Sequence, residues 1–206
     1  MENKSNTGVN VKRLTEQALI IAIIVLMAFT PLGYISTPII KLTLITIPVA
    51  VGAMFLGPKG GAVSGLTFGL TSVYAALTSP SPMMAAFMMV SPVKCIILCV
   101  VPRILEGFLC GLIFEALKKG LKGKAIAYYI GGISCPVLNT ILFMGTVVLF
   151  FYNCDYVNTM KEALGVGNPI AFIIAAVGVQ AALEAVCCGL ASGVVTHSLS
   201  KILSRS

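Results

Sequence analysis

The sequence predicts an all-α integral membrane protein, a six-transmembrane-helix bundle forming a single domain over residues 1–206. Three observations carry this. Of the 206 residues, 58% are hydrophobic and 10% are charged, where an ordinary soluble domain is about 25% charged. The apolar residues fall into six runs, each near the roughly 20 residues that a helix needs to cross a hydrocarbon core of about 30 Å. Ten of the fourteen Lys and Arg residues lie on one side of the arrangement that these runs imply. Such a composition excludes a soluble globular enzyme, a disordered chain and a nucleic-acid-binding domain, despite a net charge of +7.

In chain order, the expected spans are 14–30, 40–56, 60–78, 93–117, 125–152 and 168–203. Lys12 and Arg13 precede the first, and no small-x-small cleavage site follows it, so it reads as a retained span rather than a signal peptide. Thr30-Pro31-Leu32-Gly33 ends it. Gly57-Pro58-Lys59-Gly60-Gly61 makes a tight turn between spans two and three, because Gly and Pro do not easily continue a helix. Ser79 to Pro92 is a longer loop rich in Met83, Met84, Met88 and Met89, read either as an adaptable lid or as a re-entrant segment resting on lipid. The stretches 118–124 and 153–168 separate the remaining spans, of which the last three are long enough to tilt, kink or protrude.

With six spans, Lys4, Lys12, Arg13, Lys59, Lys118, Lys119, Lys122, Lys124, Lys201 and Arg205 share one side. Lys41, Lys94 and Lys161 lie on the other, and Arg103 is inside span four. The positive-inside rule then places both termini in the cytoplasm of a multi-pass cell-membrane protein. The seven cysteines, mostly inside apolar runs, read as small core residues in reduced form, with no metal site.

Gly57, Gly61, Gly65 and Gly69 recur every four residues, as do Gly107 with Gly111 and Gly189 with Gly193. Such rows pack helices closely within a bundle. Ala18 and Ala22 form a similar pair on an otherwise bulky first helix. Spacing alone favours internal packing for them over a partner's docking face.

Charges at membrane depth cost about 2.5–3.5 kcal/mol each, so each needs a reason. Arg103 and Glu106 in span four are three apart and within reach of each other on one face. Pro102, beside them, removes the hydrogen bond to the Leu98 carbonyl and can kink the helix. The arrangement suits an internal ion pair or a polar cavity, where arginine's planar fork would clamp a carboxylate. Asn139 in span five and Gln180 and Glu184 in span six add polar groups, the last two on one face. The solute site is therefore expected among the last three spans, with Tyr34 and Ser36 in an outer loop over it. No phosphate-binding glycine loop, HExxH or GxSxG occurs, and the single histidine, His197, lies near the cytoplasmic end of span six. An intramembrane enzyme would have to work with Glu106, Glu184 and His197, which have no recognisable catalytic spacing.

Several runs resemble the S component, the substrate-binding subunit, of energy-coupling factor (ECF) vitamin transporters. They are Phe29-Thr30-Pro31-Leu32-Gly33-Tyr34-Ile35, the stretch from Thr46-Ile47-Pro48-Val49 through Gly57-Pro58-Lys59-Gly60-Gly61-Ala62, then Gly65-Leu66-Thr67-Phe68-Gly69, and Val101-Pro102-Arg103-Ile104-Leu105-Glu106-Gly107. The likeness runs over nearly the whole chain and is greatest to the pantothenate type, with Thr46 where that family is expected to carry histidine. It implies a non-enzymatic subunit without cofactor that captures a vitamin outside and topples to release it inside. Its expected partners are a membrane-embedded coupling subunit and two ATPase subunits. It makes Ala18 and Ala22 the face that docks the coupling subunit, reversing the preference from spacing. For pantothenate, Arg103 would take the carboxylate, and Asn139, Gln180 or Glu184 the amide and hydroxyls. Glu106 and Tyr34 complete the expected site. The alternatives are an S component for another vitamin or small metabolite, a stand-alone secondary carrier, and an intramembrane enzyme.

Overall fold

A computed structural model describes residues 4–36, 41–121 and 125–203. The elements are α1 (Lys4–Ala28), β1 (Tyr34–Ser36), β2 (Lys41–Thr43), α2 (Thr46–Thr78), α3 (Pro82–Val90), α4 (Pro92–Gly120), α5 (Ala125–Phe151), α6 (Asp155–Leu164) and α7 (Pro169–Leu203). A single 3-10 turn, Pro31–Gly33, joins α1 to the antiparallel β1–β2 hairpin, where Tyr34 stands opposite Thr43. Among the described residues the architecture is all-α apart from that hairpin. Among the described residues, α2, α4, α5 and α7 are long and apolar enough to cross a membrane. Lys122, Lys124 and Arg205 of the charge pattern lie outside the described residues.

Gly57 breaks α2. Its φ of 76° and ψ of −170° are open to glycine and strained for other residues, and Pro58 restarts the helix at once. The chain doubles back there. A β-carbon at Gly52 would lie 2.6 Å from Ser64 Oγ, and one at Gly61 would lie 2.8 Å from Ala53 Cβ. In a straight helix, positions 52 and 64 would be about 18 Å apart. Residues 46–56 and 58–78 are thus two arms joined by the expected glycine turn. The first arm is shorter than the expected span 40–56, because 41–43 form a strand and the Thr43 N–H is taken by Glu184, 2.7 Å away, instead of entering a helix.

The second arm packs antiparallel on α4 through its glycine row. A β-carbon at Gly61 would overlap the Gly107 carbonyl oxygen, and one at Gly65 the Arg103 carbonyl oxygen. Further along, a β-carbon at Gly69 would lie 3.0 Å from Val100 Cα, and one at Gly111 2.7 Å from Pro58 Cα. On the other side of the bundle, a β-carbon at Gly189 would lie 2.9 Å from Ile133 Cα and one at Gly193 3.0 Å from Tyr129 Cα, so these glycines join α7 closely to α5. These rows pack inside the chain. Ala18 and Ala22 do not: both are exposed, while Ile20 and Ile24 are buried. The internal packing favoured by their spacing is corrected: the face of α1 that meets the core carries Ile20 and Ile24, and the alanines lie off it.

Two loops of the sequence reading contain helices. The Met-rich stretch holds α3, begun by Ser81, whose Oγ accepts from the Met84 N–H at 3.3 Å, with Pro82 in the first turn. Ser91-Pro92 starts α4 in the same way. Helix α6 ends at Gly165, with φ of 65°, where the Val166 N–H donates to Lys161 and the Gly165 N–H to Glu162. Phe87 of α3 stacks on Phe151 of α5 at 4.2 Å, and Val157 and Phe172 join the same buried cluster. A second cluster, with Ile24, Val49, Met54, Phe68 and Phe114, fills the space between α1, α2, α4 and α5. All seven cysteines are free thiols, five of them buried.

Candidate functional site

Arg103 occupies the interior of α4 with 8% of its surface exposed. Its position follows from the residue before it. Pro102 cannot donate to the Leu98 carbonyl, and Arg103 Nη1 donates to that oxygen instead, at 2.9 Å. The guanidinium carbon sits 4.3 Å from the Phe143 ring centre and 5.4 Å from that of Phe68, a cation–π sandwich between α5 and α2. Nε has no hydrogen-bond partner.

The ion pair expected between Arg103 and Glu106 is absent among the described residues, which corrects the sequence reading. Long helical side chains lean toward the helix N-terminus, and Arg103 reaches back to Leu98. Glu106 turns to α5, where Oε1 accepts from Cys135 Sγ at 3.2 Å. Glu106 is fully buried, its Oε2 has no partner, and it lines neither cavity described below.

Glu184 and Gln180 are joined as their four-residue spacing predicts: Gln180 Nε2 donates to Glu184 Oε1 at 3.3 Å. The same oxygen accepts the Thr43 N–H from the hairpin. Asn139 of α5, 8% exposed, has an unpartnered Oδ1.

These groups surround an inner cavity of about 250 Å³. Its polar lining is Thr43, Arg103, Asn139, Thr140, Gln180 and Glu184, and its apolar lining includes Met83, Phe143, Met160 and Phe172. An outer cavity of about 520 Å³ lies between the end of α1, the hairpin and the second arm of α2, lined by Tyr34, Thr71, Ser72, Tyr74, Ser79 and Ser81 among others. Thr43, Met83, Arg103 and Phe143 belong to both linings, so the arginine stands where the cavities meet. Burial pushes the Tyr34 phenol above its ordinary range, while the positive charge of Arg103 and a hydrogen bond with Ser72 oppose the rise. Tyr34 is therefore a neutral hydroxyl at neutral pH.

The structure thus brings Arg103, Asn139, Gln180 and Glu184 to one cavity and places Tyr34 on the other. His197 is half-buried beside Tyr128, with ring centres 5.3 Å apart. Thirteen residues of α7, about 20 Å of helix, separate it from Glu184, so the three groups an intramembrane enzyme would need are not assembled. Sequence reasoning missed Thr43, Thr140, Phe143 and Met160. Phe143 carries a signal that could have found it, since it follows Asn139 by four residues and shares its face.

Chemically, the site presents a positive fork with a free N–H at one end, and a carboxylate with two side-chain amides at the other. Apolar walls fill the space between. Such a cavity suits a small elongated solute with an anionic group and, at a distance, hydroxyl or amide hydrogens.

Residues 12–198 match the family described as ECF transporter, substrate-specific component. A curated relative, the "Pantothenic acid transporter PanT" of Lactococcus lactis subsp. cremoris (strain MG1363), is 30% identical over 120 residues, which are 54% of this chain. The match spans 59% of that relative's length. The family match spans 187 of the 206 residues, and the protein belongs to the ECF transporter substrate-specific components, a family of membrane transport subunits and not of enzymes.

Proposed function

We propose that this chain captures pantothenate for an ECF importer. The observation that carries the reading is the buried Arg103, unpaired by any carboxylate among the described residues and standing at the junction of two cavities. Pantothenate is an elongated monoanion with a carboxylate at one end and hydroxyls at the other. Its carboxylate docks on Arg103, its amide contacts Asn139, and its hydroxyls donate toward Glu184 and Gln180. The similarity to the Lactococcus pantothenic acid transporter supports the same substrate. Tyr34 contributes from the outer cavity, through which the solute arrives.

The topology we infer has six crossings, with both termini cytoplasmic. The doubling back at Gly57 supports it, since α1, the two arms of α2, α4, α5 and α7 then make six apolar segments, the first arm of α2 being the shortest at 11 residues. The exposed pair Ala18 and Ala22 is the docking face for a membrane coupling subunit, supported by its outward position beside the exposed apolar side chains of Leu14, Leu19 and Leu26. Two partner ATPases supply the energy.

Calorimetric titration of the detergent-purified chain against water-soluble vitamins tests this directly. Pantothenate is expected to bind and the others to stay silent. Binding of a different vitamin would replace the substrate. Ion-gradient-driven uptake by the chain alone in liposomes would replace the whole reading with a secondary carrier.

A further inference from the structure

Glu106 has no contact with either cavity, yet it is the most completely buried charged side chain near Arg103, with 0% of its surface exposed. The ionisable groups facing it are Arg103 of its own helix, Cys135 of α5 and Glu184 of α7, with Cys110 behind Cys135. On α2 the neighbouring group is neutral: the Thr46 carbonyl accepts from the same Cys135 thiol that donates to Glu106. One arginine and two carboxylates already give this interior an excess of one negative charge when both acids are ionised. An anion docking on Arg103 adds a second, in a medium where an uncompensated charge is strongly disfavoured.

We infer that Glu106 compensates the captured anion by taking up one proton as the ligand binds. The role rests on the reading of Arg103 as the anion's partner. The proton comes from bulk water and forms an O–H bond at Glu106 Oε2; no other bond is made or broken.

The hydrogen bonds decide which carboxylate takes the proton. Glu184 Oε1 accepts two N–H donors, from Thr43 at 2.7 Å and Gln180 at 3.3 Å, and both favour its ionised form. Glu106 has a single weak thiol donor on Oε1 and none on Oε2. Leaving a neutral O–H unpartnered costs less than leaving a carboxylate unpartnered. Glu106 therefore acts through Arg103 and restricts the site to ligands of a single negative charge: a dianion would require a second proton, which the well-bonded Glu184 does not readily accept.

The linkage has a definite sign. Docking an anion raises the proton affinity of Glu106, so ligand affinity is full at low pH, where Glu106 is protonated in both states. It falls as pH rises, by at most about tenfold per pH unit. Titration of pantothenate into the full-length detergent-solubilised chain, from about pH 5.5 to pH 9 in two buffers of different ionisation enthalpy, reads this out. The expected result is affinity that falls with pH and a binding heat that differs between buffers by up to one proton per ligand. Glu106→Gln should flatten the profile at the high-affinity level, whereas damage to the pocket would lower affinity at every pH. A wild-type profile that is flat and independent of buffer overturns the inference, as does a slope that survives in Glu106→Gln. The buffer comparison needs no variant, so misfolding of Glu106→Gln would not shield the inference. Absence of binding at every pH overturns the substrate reading as well, which separates the two failures.

Discussion

Helix α4 has two contrasting faces. Toward α2 it offers backbone: Gly107 and Gly111 lie so close to Gly61 and Pro58 that a single β-carbon would not fit. Toward α5 and α7 it borders a cavity walled by methionine and phenylalanine, side chains that can repack around a solute. Arg103 joins the two. Its carbonyl oxygen lies against Gly65 in the tight seam, while its guanidinium stands at the cavity. The contrast shows how a membrane protein can hold a charge steadily beside an adaptable pocket. One face fixes the backbone from which the charge projects, and the other is left free to accommodate the ligand.

The contrast can be broken from the seam side. Gly65→Val would drive a branched side chain into the Arg103 backbone and should cost about 3 kcal/mol of stability, read as a lower unfolding temperature in detergent and accompanied by loss of ligand binding. On the cavity side, substitutions should lower affinity and leave unfolding nearly unchanged. Asn139→Ala removes a partner for the solute's amide and should weaken pantothenate about tenfold, near 1.4 kcal/mol. Tyr34→Phe removes one neutral hydroxyl from the outer cavity and should weaken it about threefold, near 0.7 kcal/mol. The smallest effect sharpens the comparison: Gly145, with no atom within 4 Å of an added β-carbon, should tolerate alanine to within about 0.5 kcal/mol. An equal loss of stability at Gly65 and Gly145 would show that the seam has no special tightness.

Much of this was legible in the sequence because it follows from spacing. Of the glycine row at 57, 61, 65 and 69, the last three share one helix face and the structure packs that face on α4, while Gly57 makes the turn before it. Pro102 marked a freed carbonyl at Leu98, and Arg103 donates to it. Gln180 and Glu184 were four apart and are hydrogen-bonded. What stayed hidden depends on contacts distant in sequence. Nothing local announces that the Thr43 N–H meets Glu184, 141 residues later. The helices α3 and α6 were read as loops because both are short, and a short helix is specified largely by what it packs on. The Arg103–Glu106 pair failed for a different reason: three-residue spacing permits contact, but the direction of each side chain was set by Leu98 on one side and Cys135 on the other.

The claim at the centre of this account is that Arg103 holds the solute's carboxylate while the α2–α4 seam, not the guanidinium, holds the fold. Paired calorimetry and thermal unfolding of wild type and Arg103→Ala tests it most directly. The account predicts that the variant unfolds within a few degrees of wild type and binds pantothenate at least about a hundredfold more weakly, near 2.7 kcal/mol. Wild-type affinity in the folded variant would remove Arg103 from the site and contradict the account.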